Sequence, residues 1–156
     1  MVVLDTLDRL TFCRDLPEEY MKRIASAGQV REYPAGAYVF REGQSSAHVY
    51  LVAEGEVGLE VTLPGHEPAR LQTAGPGELL GWSPVLGLGP MTASARALTP
   101  SRLIALSADR IRELSRADPL FGIEFLRRTA LALAQRLNAT RLQLLEACGN
   151  ELQAVS

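Results

Sequence analysis

The sequence predicts an α+β fold in which a series of short strands lies between N-terminal helices and a long C-terminal helix. Three observations carry this. Apolar residues recur at helical spacing near both ends of the chain, the middle breaks into short β-branched or aromatic runs, and turn residues punctuate those runs every eight to twelve positions. With 156 residues, 47% of them hydrophobic and 22% charged, the chain is long enough to bury a real core without disulfide staples.

From about 4 to 27, Leu4, Leu7, Leu10 and Phe12, then Leu16, Tyr20, Ile24 and Ala27, predict two short helices. The second opens at Pro17, behind Asp15, and stops at Gly28. Eight runs between about 30 and 107 read as strands: VREYP, AYVFRE, HVYLVA, EVGLEVTL, ARLQTA, ELLGW, TASARAL and SRLIALS. Their spacing suits a sandwich or a small barrel. Ser107 is placed to cap a helix reaching about Arg116, and Asp118-Pro119 to cap and open a longer one ending near Gly149.

That last helix carries the clearest period. Ile123, Leu126, Ala130, Leu133, Leu137, Thr140, Leu144 and Ala147 are separated alternately by three and four residues, the seam of a two-stranded coiled coil. A second stripe, Leu131, Ala134, Leu142 and Leu145, lies beside it. Two stripes imply two partners, the strand body and another copy of the helix, and hence a parallel homodimer. The other reading is one wide face buried within a monomer. Arg127, Arg128, Arg136 and Arg141, offset by Glu124 and Glu146, read as a solvated helix face.

Composition excludes several functions. A formal net charge of -2 gives no general attraction to nucleic acid or anionic lipid. Charges fall within the first ten residues, and no apolar run approaches the ~20 residues of a membrane span, so neither a signal peptide nor a spanning helix is expected. Cys13 and Cys148 lie near opposite ends without C-x-x-C spacing, and His48 and His66 are too few for a multi-His site. The expectation is a reducing cytoplasm, with no metal and no cofactor. Phosphate-loop, zinc-protease and nucleophile-elbow motifs are absent, so no catalytic residue is assigned and an enzyme is not expected.

Several ordered motifs point further. They are Pro34-Ala35-Gly36 before a strand, Phe40-Arg41-Glu42-Gly43, Val49-Tyr50-Leu51-Val52 followed by Gly55-Glu56-Val57, Gly75-Pro76-Gly77-Glu78, and Ala93-Ser94-Ala95-Arg96-Ala97. In this order the chain resembles the cyclic-nucleotide-binding domain superfamily, the sensory domains of catabolite-activator-type regulators, kinase regulatory subunits and cyclic-nucleotide-gated channels. The resemblance implies an eight-stranded antiparallel jelly-roll β-barrel with N-terminal helices and a long C-terminal helix. It also implies a single domain over 1–156, divided into N-terminal helices at 1–28, a β-roll at 29–107 and C-terminal helices at 108–149.

It further implies a ligand cassette with one short helix, in which a glutamate grips the ribose, an arginine neutralises the cyclic phosphate and backbone N-H groups complete the anion site. Here that stretch runs from Gly81-Trp82-Ser83-Pro84 to Met91-Thr92-Ala93. Trp82 stands where the glutamate is expected and Met91 where the arginine is expected. Each hydrogen bond to a charged group contributes about 1.5 to 3 kcal/mol, so losing both argues against ordinary cyclic AMP binding. The remaining candidates are Gly81, Ser83 as cap of the cassette helix, Thr92, and Ala93 with an open backbone N-H. Arg96, on the strand face opposite Met91, Ala93, Ala95 and Ala97, reads as a surface residue.

The segment from Ala134 to Arg141 is similar to the helix that reaches the base in the catabolite-activator type, which brings in Thr140 and Arg141. Thr140 is either a ligand contact or the polar residue that sets the register of the seam. Two functions follow. One is a freestanding sensor whose altered cassette takes a small molecule, a cyclic nucleotide being left open, and signals to an unknown downstream protein. The other is a structural dimer module with a collapsed pocket. An excised sensory domain of a transcription regulator is a third; as a complete chain, the few residues after Ala147 leave no room for a DNA-reading unit, and no direct DNA contact is expected.

Overall fold

In the computed structural model, which describes residues 2–155, two apolar runs explain the layering. Val49-Tyr50-Leu51-Val52 and Leu103-Ile104-Ala105-Leu106 are apolar at consecutive positions, and their strands are buried on both faces. They belong to β3 (His48–Glu54) and β8 (Ser101–Ser107), which pair antiparallel with Leu51 opposite Ile104. β1 (Gly28–Tyr33) flanks β8 and β6 (Leu79–Leu80) flanks β3, giving the order β1-β8-β3-β6. The second sheet is β2-β7-β4-β5, built from β2 (Tyr38–Phe40), β4 (Val57–Val61), β5 (Ala69–Ala74) and β7 (Ser94–Ala97).

One face of the first sheet, through Tyr50, Val52, Leu80, Leu103 and Ala105, meets Phe40, Val57, Leu59, Ala74, Met91 and Ala95 from the second sheet and its loops. Its other face, through Val49, Leu51, Leu79, Ile104 and Leu106, meets the helices. These are α1 (Val2–Asp8), a 3-10 turn at Thr11–Cys13, α2 (Glu18–Ser26), α4 (Ala108–Ala117) and α5 (Pro119–Val155), with the cassette helix α3 at Ser83–Leu86. Met1 and Ser156, the ends of the expected domain, lie outside the described residues.

The closed barrel is not formed. The eight strands divide into two four-stranded antiparallel sheets. β6 offers two residues and β2 three, with a register irregularity between Tyr38 and Phe40, which is too little ladder to join the sheets edge to edge.

The caps at Ser107 and Asp118 form as the sequence suggests. The Ser107 hydroxyl accepts from the Arg110 N-H at 3.2 Å, and the Asp118 carboxylate accepts from Leu120 and Phe121 at 3.1 and 3.4 Å. Asp118 is also paired with Arg23 of α2, whose guanidinium holds the carboxyl below the usual carboxylate range. α5 does not stop at Gly149, because a helical glycine costs about 1 kcal/mol relative to alanine and does not by itself break a helix.

The rotation of α5 corrects one expectation. Its body-facing residues are Phe121, Phe125 and Thr129, all buried, followed by Ala132 and Arg136. The stripe expected to pack on the strands instead faces outward, with Leu131, Leu142 and Leu145 at least half exposed. The seam residues Ile123, Leu126, Leu137 and Leu144 are exposed as well, Ala130 is exposed and Leu133 is half-buried.

Candidate functional site

The cassette begins where β6 turns out of the first sheet. Gly81 adopts a φ of +71°, a conformation that side-chain-bearing residues enter only at a cost. A Cβ there would lie 2.8 Å from the Met91 methyl and 3.0 Å from the Phe40 ring, so the glycine lets Met91 approach the backbone. Met91 is 3% exposed and belongs to the core between the sheets. Its backbone is fixed against the β2–β3 loop, since its N-H donates to the Gln44 carbonyl at 2.8 Å and its carbonyl accepts from Gly43 at 2.8 Å.

Trp82 precedes α3 and offers no side-chain capping bond. Ser83 is the first helical residue and is buried, so it does not cap α3 as the sequence suggested. Pro84 occupies the first turn, and Gly87 ends the helix at a φ of +70°. Arg112 of α4 donates to the Pro84 carbonyl and ties the cassette helix to α4. Thr92 is exposed and Ala93 partly buried.

Sequence reasoning missed the residue that closes this region. Arg136 of α5 places its guanidinium 5.8 Å from the centroid of the Trp82 ring, a cation–π arrangement. The same guanidinium donates to Gln72 Oε1 at 2.9 Å and to the Leu79 carbonyl at 3.2 Å, and lies 3.8 Å from Glu78. Its side chain is 14% exposed. Burial draws Arg136 below its ordinary range, and Glu78 opposes the drop.

Thr140 joins this group. Its hydroxyl accepts from Gln72 Nε2 at 2.6 Å and donates to the Arg136 carbonyl at 2.9 Å, while Gln143 donates to the Leu71 carbonyl at 2.7 Å. Thr140 therefore sits on the flank of α5 nearest β5, and Arg141 is exposed. The structure brings Gly81, Met91 and Phe40 together on one side, and Trp82, Arg136, Gln72 and Thr140 on the other. Arg128 was also misread as solvated: it is 11% exposed and donates to the Phe12 and Arg14 carbonyls, both at 2.7 Å.

Arg96 does point away from Ala95 and Ala97, but its side chain is only 37% exposed and pairs at 2.7 Å with the buried Glu60. Among the described residues no group of three or more His, Cys, Asp or Glu side chains is placed to hold a metal ion. No helix is long and apolar enough to cross a membrane, again among the described residues. An indole face, a guanidinium, an amide and a hydroxyl equip the site for noncovalent recognition.

Residues 30–118 match the family model of the cyclic nucleotide-binding domain. The cyclic AMP receptor protein of Thermus thermophilus is 37% identical over 116 residues, covering 74% of this chain and 52% of that protein. A CRP-like cAMP-activated global transcriptional regulator of Mycobacterium tuberculosis is 28% identical over 113 residues, covering 72% of this chain and 49% of that protein. The chain thus spans about half the length of these curated relatives. The crystal structure of the Thermus thermophilus catabolite activator protein superposes with a TM-score of 0.71 at 33% identity, covering 88% of this chain and 62% of that one.

Proposed function

This chain belongs to the cyclic nucleotide-binding domain family, and we propose that it is a regulatory, ligand-sensing module whose phosphate-binding cassette is degenerate. Trp82 and Met91 replace the charged grips of the cassette, so cyclic AMP is not bound in the usual way. The observation that carries this is the burial of Met91 against Gly81 and Phe40, which puts a thioether in the core where the family's arginine is expected. The cation–π contact between Arg136 and Trp82 supports the same reading, because it occupies the indole face with a protein group. Gly81, Ser83, Thr92, Ala93, Thr140 and Arg141 are the remaining ligand-contact candidates. We read the strand orders as those of a jelly roll and 1–156 as one domain of this type.

The module acts as a parallel homodimer through α5, with Ile123, Leu126, Ala130, Leu133, Leu137 and Leu144 on the seam. Their exposure in a single chain supports this, since a contiguous apolar stripe in water favours a partner. Thr140, hydrogen-bonded toward Gln72, flanks the seam rather than interrupting it. The similarity to CRP-like regulators over about half their length favours a second reading, that this sequence is the sensory portion of a transcription regulator.

Trp82 is the one tryptophan of the sequence, so its emission reports on the cassette. Titration with millimolar cyclic AMP is expected to leave it unchanged, and a saturable change would overturn the degenerate-cassette reading. Trp82→Glu combined with Met91→Arg is expected to create calorimetrically measurable cyclic-nucleotide affinity in a folded protein. For the dimer, Leu137→Glu, at a position 52% exposed, is expected to shift sedimentation to monomer without loss of helix content; unchanged association would remove the seam.

A further inference from the structure

One hollow beside α5 is not lined by the cassette's candidate contacts. A cavity of about 400 Å³ lies between the Thr11–Cys13 turn and the residues just after it, the β5–β6 turn and the middle of α5. We propose that this cleft is a second ligand site, taking a small amphipathic organic anion.

Its volume falls in the range of small-molecule pockets. Its floor is apolar, from Phe12, Leu79, Leu131 and Ala132. Four guanidiniums, of Arg14, Arg127, Arg128 and Arg136, line it against two carboxylates, Asp15 and Glu78. Each of the two deeper arginines has two neutral partners and one carboxylate: Arg128 the Phe12 and Arg14 carbonyls with Glu124 at 2.8 Å, and Arg136 Gln72 and the Leu79 carbonyl with Glu78 at 3.8 Å. Neutral acceptors orient a guanidinium without cancelling its charge, and against Asp15, Glu78 and the adjoining Glu124 the four guanidiniums keep an excess of positive charge for an arriving carboxylate to meet.

The walls are set by close packing. Gly77, at a φ of +89°, lies so near the 3-10 turn that an added Cβ would be 3.1 Å from the Thr11 hydroxyl. The chemistry selects an anionic head among the arginines and a short apolar body over Phe12, Leu79 and Leu131. Arg136 faces both this cleft and Trp82, so an anion bound here acts on the contact that closes the cassette.

The test is a titration of the full chain with octanoate and with its uncharged counterpart octanamide, followed by heteronuclear NMR. Octanoate is expected to shift the amide signals of Arg14, Gly77 and Ala132 saturably, with octanamide about tenfold weaker. Arg14→Gln with Arg127→Gln, both at exposed positions, is expected to weaken octanoate about tenfold while leaving the fold intact. The proposal is overturned by equal affinity for the acid and the amide, by an unchanged double variant, by saturable shifts confined to Leu137 and Leu144, or by no saturable binding. Cyclic-nucleotide binding is read separately, at Gly81 and Thr92, so failure here and failure of the cassette reading are told apart.

Discussion

The two halves of α5 attach to the body by different physics. The first half is anchored by aromatic rings: Phe121 and Phe125 are 1% and 2% exposed, and each meets another ring edge-on, Tyr20 and Phe12 respectively, at 5.5 Å. The second half is latched by polar groups, with Arg136 to Gln72 and Leu79, Thr140 to Gln72, and Gln143 to Leu71. Burial of apolar area is lost all at once when the surfaces part, whereas exposed hydrogen bonds exchange with water at small net cost. The first half of α5 is therefore the harder to detach from the body, and the second half the easier.

The largest effect expected from this contrast is on the anchor. Phe125→Ala leaves a cavity between α5 and the Phe12 ring and is expected to cost about 3 to 5 kcal/mol of unfolding free energy, measured by urea titration. A loss below 1 kcal/mol would mean the two halves are held alike. Next comes the cassette beneath the latch. Gly81→Ala brings a Cβ against Met91 in a left-handed conformation and is expected to cost about 3 kcal/mol. Made in a Met91→Ala background the same change is expected to cost about 1 kcal/mol less, because the backbone term and the 3.0 Å approach to the Phe40 ring remain. Equal costs in the two backgrounds would show that Met91 does not press on Gly81.

The dry side also has an alkaline signature. Burial pushes the Cys13 thiol up to about 11 from an ordinary 9.0, against a smaller opposing pull from Arg128. The unfolded chain ionises this thiol first, so the stability tied to the neutral form is fully present below pH 9 and is lost as pH rises toward 11. The loss amounts to roughly 3 kcal/mol. Cys13→Ala is expected to flatten that limb in denaturation curves taken across the range. An unaltered alkaline limb would show that water reaches the anchor as it reaches the latch.

What the sequence disclosed and what it hid follow the same division. The consecutive apolar runs of β3 and β8 and the Ser107 and Asp118 caps were legible because each is a local pattern with a local cause. Sheet closure was not, since edge pairing depends on strand lengths that hydrophobic patterning does not set. The rotation of α5 was not legible either. Its strongest period, the leucine seam, faces solvent, and the contacts to the body fall on Phe121, Phe125, Thr129, Ala132 and Arg136, a weaker pattern interrupted by polar residues. Counting forward from the two phenylalanines at helical spacing reaches Arg136, which is the signal that could have found it.

The smallest effect tests one of the two roles the sequence left open for Thr140, the register-setting residue of the seam, against its place in the latch. Thr140→Val keeps the shape and removes the hydroxyl that joins Gln72 to the Arg136 carbonyl. Gln72 Nε2 keeps its longer contact to the Arg136 carbonyl at 3.3 Å, and the site is exposed enough for water to replace the lost acceptor. The expected cost is about 0.5 to 1 kcal/mol, with a small change in Trp82 emission as Arg136 loosens above the indole. On a coiled-coil seam the same substitution would replace a buried polar residue with an apolar one and strengthen self-association. On the latch it leaves association unchanged. Sedimentation of Thr140→Val beside the unaltered chain distinguishes these, and tighter dimerisation would move Thr140 from the strand-facing flank of α5 back to the seam.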